Sequence, residues 1–171
     1  MGNLTAAAHF WAMHSCEYLK VAKAEQQQTK QLCLRNIAFI KNGEILDHSS
    51  TKLHLADCIS VTFERQKNDR KSDTVTQWRT KDPIICPMKI WASIVTQILS
   101  YEGTNKNSPV SLVLHRKKSI SATSEMITNL IQDGMVAIGE TKVGIEHWEI
   151  RTHLIQSGAA MAMYLAASQF F

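Results

Sequence analysis

The chain has 171 residues, 44% of them apolar and 20% charged, which is the composition of one ordinary globular domain rather than of a disordered chain. Four cysteines standing singly at Cys16, Cys33, Cys58 and Cys86 exclude a disulfide-dense scaffold or a zinc ribbon and fit a reducing intracellular compartment. The net charge of +4 is unevenly spread: residues 61–120 hold eleven Lys or Arg against five Asp or Glu, a local +6, leaving −2 for the remainder. Such asymmetry suits a polyanionic partner, and it equally suits exposed loops that collect basic residues for solubility.

In chain order, Thr5 to Val21 is dense in apolar and small residues without Gly or Pro, which predicts one helix carrying His14 and Glu17 a turn apart on the same face. Met1-Gly2 resembles a myristoylation start, but Ala6 stands where that motif needs Ser or Thr. A polar run over Lys23 to Lys30 leads to Leu32–Ile40, whose β-branched and aromatic content predicts a strand closed by the Asn42-Gly43 turn. Ile59, Val61 and Phe63 alternate with Ser60, Thr62 and Glu64. A second alternating run, Thr74 to Trp78, follows across the polar residues 66–73. This is a β-hairpin with a basic tip, in an antiparallel sheet of two or three strands.

Pro87 suits a first helical position, and Trp91, Ile94, Val95, Ile98 and Leu99 fall on one helical face before Gly103. Residues 103–109 read as a loop. Ser124-Glu125 open a further helix with the stripe Met126, Ile127, Leu130, Ile131 and Met135, ending near Gly139. A last helix runs from about Thr152, its small residues from Gly158 on suiting a closely packed central helix. Trp91 and the methionines read as core. The expected class is α+β, mainly α, with a small antiparallel sheet.

Three segments in this order carry a resemblance: Ala12-Met13-His14-Ser15-Cys16-Glu17-Tyr18-Leu19, Thr62-Phe63-Glu64-Arg65-Gln66-Lys67-Asn68, and Thr152-His153-Leu154-Ile155-Gln156-Ser157-Gly158-Ala159-Ala160. Together the chain resembles the catalytic domain of the tyrosine recombinases, the phage-integrase family, and more closely a divergent branch found in mobile elements. The resemblance implies the fold of DNA breaking-rejoining enzymes over residues 5–171. In that family a tyrosine hydroxyl attacks a DNA phosphodiester, and two arginines neutralise the transition state with planar forks that imidazole or amide cannot reproduce. A hairpin lysine protonates the leaving oxygen and a histidine assists proton transfer.

Carried onto this chain, Lys67 matches the lysine and His153 the histidine of the His-x-x-Arg motif. His14 and Gln156 stand where the two arginines are expected, and Glu17 follows the first of them. Tyr18, Tyr101 and Tyr164 all lie outside the family's nucleophile motif, and the sequence stops at Phe171 before that motif is reached. It also starts without the family's separate DNA-clamping domain. The resemblance therefore implies a degenerate, partial catalytic domain of DNA recombination and integration. It would touch DNA weakly, phosphates first, through Arg65, Lys67, Arg70, Lys71 and Arg79. A DNA-directed role places it in the nucleus if the cell is eukaryotic.

Neither metal nor nucleotide cofactor is implied, and the seven histidines show no i, i+4 pair. Other roles fit the same residues. Lys67 at a polar tip serves as a solvated lysine that discourages edge pairing, His153 as a helix-start histidine, and His14 with Glu17 as an i, i+3 hydrogen-bonded pair. Cys16 and His14, two apart on a helix, point to different sides and make no nucleophile pair. The competing function is a protein-interaction or structural fragment that pairs with itself or with a full-length recombinase subunit, which in a further variant donates arginines and tyrosine in trans.

Overall fold

The computed structural model describes residues 1–20, 29–66, 71–82 and 86–168. Its elements in chain order are α1 (Gly2–Phe10), α2 (Ser15–Tyr18), β1 (Ile37–Lys41), β2 (Glu44–Leu46), β3 (Cys58–Arg65), β4 (Lys71–Trp78), α3 (Pro87–Leu99), β5 (Leu112–His115), β6 (Lys118–Ser121), α4 (Ser124–Ile138), α5 (Glu140–Val143) and α6 (His153–Ser168). The class is α+β. None of the described helices is long and apolar enough to cross a membrane.

The single helix expected from Thr5 to Val21 is instead two helices with a break between them. α1 ends at Phe10, and Ala12 takes a left-handed conformation, φ 47°. The Ala12 N–H then donates to the His9 carbonyl (3.1 Å) and the Met13 N–H to the Ala8 carbonyl (2.9 Å). This is the hydrogen-bond pattern of a Schellman stop, with alanine where glycine is usual. The absence of glycine hid the stop. Burial of Trp11 and Met13 on either side of Ala12 holds the strained residue in place.

Asn42-Gly43 turns β1 back into β2 as expected, with φ 52° and 82°. Antiparallel pairing then gives the order β2-β1-β3-β4, so the sheet has four strands rather than two or three. The extra strand, β2, has only three residues. Ile37, Phe39, Ile59, Val61 and Phe63 face the core, while Ser60 and Thr62 face outward and bond across to Thr76 (2.6 Å) and Thr74 (3.0 Å). α3 lies under the buried face, and its Trp91 meets Trp11 edge to face at 5.9 Å.

The strand expected over Leu32–Ile40 is shorter at its start. Asn36 Oδ1 accepts the Cys33 N–H (2.8 Å), folding Leu34–Asn36 into a single 3-10 turn in place of a sheet ladder. A second sheet, the hairpin β5–β6, has no counterpart in the sequence expectations, because its two-residue turn, Arg116-Lys117, contains no Gly or Asn. α6 is likewise not central: Ile155 and Ala159 are buried, but Met161 and Met163 are 59% and 55% exposed. Those two methionines are not core.

Ala12 yields a direct test. Replacing it with glycine removes a left-handed penalty of ~1–2 kcal/mol and adds ~0.5–1 kcal/mol of unfolded-state entropy. Ala12→Gly is therefore expected to raise stability by about 0.5 kcal/mol in urea denaturation, whereas Met13→Ala, at a fully buried site, is expected to cost about 2–5 kcal/mol.

Candidate functional site

α2 begins immediately after the Schellman stop. His14 is its N-cap residue, with extended backbone, and its N–H donates to Glu17 Oε2 at 2.9 Å, while the Glu17 N–H donates to the His14 carbonyl at 2.9 Å. His14 and Glu17 are thus coupled through the backbone of a helix start and not as two side chains on one helix face. Glu17 is buried, and desolvation raises its carboxyl above the usual range, opposed by the His14 N–H. Its contact is with the His14 backbone, which makes it a positioning residue.

From the other end of the chain, α6 packs on α1 and carries Gln156 to the exposed His14 ring. Gln156 Nε2 lies 3.1 Å from His14 Nε2. An amide nitrogen only donates, so the ring Nε2 accepts and the ring proton resides on Nδ1; with the amide turned over, its oxygen takes a proton from Nε2 instead. The pair satisfies itself in both tautomers. His153, one turn earlier, is exposed and lines a polar cleft of about 510 Å³ with Ser124, Glu125, Thr128, Asn129, Gln132, Arg151 and Thr152. The hydroxyls of two of its lining residues, Ser124 and Thr152, are hydrogen-bonded to each other at 2.7 Å. Arg151, a cation missed from sequence, stands two residues before His153 on this cleft; that proximity was the available signal.

The basic residues of the β3–β4 hairpin fall into three groups. Lys67 and Arg70 lie outside the described residues. Arg65 and Lys71 are Cα partners where β3 and β4 meet the tip, which sets two basic residues opposite each other in the ladder. Arg79 lies elsewhere: its Nη2 donates to the carbonyls of His54 (2.7 Å) and Ala56 (2.6 Å), pinning the loop before β3. Beside Arg65, Glu64 accepts from Lys30, from Asn36 (3.0 Å) and from Arg35 (2.9 and 3.0 Å). The Lys30 ammonium, then Asn36 and Arg35, hold the Glu64 carboxyl down at about 2.

Tyr18 is fully buried and desolvation pushes its hydroxyl up to about 12, a setting opposite to that of an activated nucleophile. Cys16 makes its described contact with the Thr29 hydroxyl, at 3.7 Å. Among the described residues, no group of three His, Cys, Asp or Glu side chains is placed to hold a metal ion. Comparison of the chain with known protein families, with curated proteins and with solved structures finds no match.

Because the Glu64 carboxyl is lowered in the folded state, its contribution to stability is present above pH 4.5, the ordinary value, and is lost as pH falls toward 2. Glu64→Gln is expected to lower the urea midpoint at pH 7, with the gap to the parent chain closing at pH 2–3. A gap that stays constant with pH would show that the clamp is not ionic.

Proposed function

We propose that this chain is a tyrosine-recombinase-like domain, related to the enzymes of DNA recombination and integration, that binds DNA through its phosphates and does not cut it. The observation that supports this reading is the contact between His14 and Gln156. These are the two positions that the resemblance assigns to arginines converging on one phosphate, and they meet at 3.1 Å from positions 142 apart in the chain. Two matched positions on unrelated helices have no local reason to touch. His153, the third matched position, lies one helical turn from Gln156.

The same pair argues against strand cleavage. An imidazole and a carboxamide that bond each other replace two permanently charged forks, and loss of a single transition-state donor costs about 2.7–4 kcal/mol of barrier. What persists in the sequence is basic charge: Arg65, Lys67, Arg70 and Lys71 along the β3–β4 segment, and Arg151 two residues before His153. Such charge binds by displacing counterions, so affinity falls steeply with salt.

Fluorescence anisotropy with a short duplex is the test. Log affinity is expected to fall linearly with log salt, and a nicked suicide duplex is expected to yield no covalent protein–DNA adduct. A flat salt response overturns the binding, and an adduct overturns the inactivity. Converting the pair, His14→Arg with Gln156→Arg, is expected to steepen the salt slope by roughly 1–2, at about 0.9 for each additional phosphate neutralised. No change in slope would mean that this seam faces no phosphate.

A second reading is favoured by Met161, Met163 and Leu165, all more than half exposed on α6. In it, another copy or a recombinase subunit covers that helix, and DNA binding is absent or secondary. Size-exclusion elution that is independent of protein concentration counts against self-association.

A further inference from the structure

Two hairpins in this chain close through two-residue turns in which both central residues have positive φ. In β1–β2 they are Asn42 and Gly43, the residue types that take this backbone at least cost. In β5–β6 they are Arg116, φ 47°, and Lys117, φ 64°, between the paired His115 and Lys118. A long side chain in the left-handed region costs ~1–2 kcal/mol at each position. Packing does not offset that cost, because residues 114–119 are all exposed. Nor does ion pairing: neither of the ion pairs found among the described residues involves this turn. What the turn does achieve is three positive charges and an imidazole on four consecutive residues at the end of a two-stranded ladder.

The base of this hairpin is joined to the site. The Ala122 carbonyl, directly after β6, accepts the Lys20 N–H (3.1 Å), two residues beyond α2, and the Ala122 N–H donates to the Ser111 carbonyl (2.8 Å). α4 starts two residues later, where Ser124 meets Thr152 beside His153. From Ala122 out to Lys118 is about 13 Å of extended chain at ~3.3 Å per residue. Over that length one strand of a duplex presents about four phosphates, at ~3.4 Å of axial rise each.

We propose that the β5–β6 tip, His115 to Lys118, is a second phosphate-binding prong for duplex DNA, set on the backbone a few phosphates away from the His14–Gln156 seam. This rests on the DNA-binding reading above and extends it to a hairpin outside every segment that carried the resemblance. The strained turn is retained for its charge, because the same chain shows that an unstrained turn of the same geometry was open to it.

The test converts one turn into the other. Arg116→Asn with Lys117→Gly should raise the melting temperature, so loss of binding cannot be ascribed to loss of fold. It should also weaken duplex binding at low salt about tenfold or more and reduce the salt slope by about 2, at roughly 0.9 for each phosphate left unneutralised. The charge-matched control, Lys52→Gln with Lys142→Gln, alters exposed lysines elsewhere and should leave the slope unchanged. A parent chain that binds DNA, with a turn variant that binds equally well or a control that loses as much, overturns the prong and leaves the DNA reading standing. A parent chain that binds no duplex overturns both. If the turn variant loses binding only to phosphatidylserine-containing vesicles and keeps its DNA affinity, the prong belongs to a membrane surface and the proposal is wrong.

Discussion

The structure depends on a half-buried strap, residues 29–36, whose backbone is hydrogen-bonded to three other regions at once. Leu32 donates to the Glu17 carbonyl (2.8 Å) and accepts from Val110 (3.0 Å). Lys30 donates to Arg65 (3.1 Å), Leu34 to Ser108 (3.0 Å) and Arg35 to Lys106 (2.7 Å). Leu32 and Leu34 are themselves buried in the core. Buried backbone groups must be paired, so this segment can be buried only where the α2 region, the end of β3 and the 105–111 loop stand together. It thereby sets α2, the β3–β4 hairpin and the approach to β5–β6 around one centre. The Glu64 clamp, with Lys30, Asn36 and Arg35, fastens the same strap from outside.

With that frame in place, the candidate site needs few further contacts. The Schellman stop at Ala12 redirects the chain so that His14 opens α2, and Glu17 holds the His14 backbone from within the core. Ile155 and Ala159 dock α6, which leaves Gln156 at the His14 ring. The chemistry there is that of an imidazole hydrogen-bonded to a carboxamide where the resemblance expects two guanidinium forks. Arg151, two residues before His153, lines the adjoining polar cleft.

Among the described residues, Ala12, Asn42, Ser72, Arg116 and Lys117 are the non-glycine residues at positive φ. Ala12 sits at positive φ where a buried tryptophan and methionine make the turn worthwhile. Arg116 and Lys117 sit at positive φ on an exposed tip where no packing does so, while Asn42-Gly43 occupies the equivalent turn without cost. Burial accounts for the strain at Ala12, whereas Arg116 and Lys117 carry theirs on exposed surface.

Read alone, the sequence determined those elements whose signal is local. The alternation from Ile59 to Trp78 set the β3–β4 hairpin, Asn42-Gly43 set a turn, Pro87 and the Trp91 stripe set α3, and Ser124-Glu125 with Gly139 bounded α4. Each depends on residues within one or two turns of each other, so periodicity and turn chemistry suffice. The resemblance segments also named His14 and Gln156. Tertiary structure alone decided where α1 stops, because Ala12 is held left-handed by burial and not by residue type. It alone decided that Leu32–Asn36 is strap and not strand, that Arg79 serves a loop, and that three-residue β2 joins the sheet. Above all it decided that His14 and Gln156 touch. Contact between side chains 142 positions apart follows from how α6 packs on α1, and no local pattern in either segment encodes that distance.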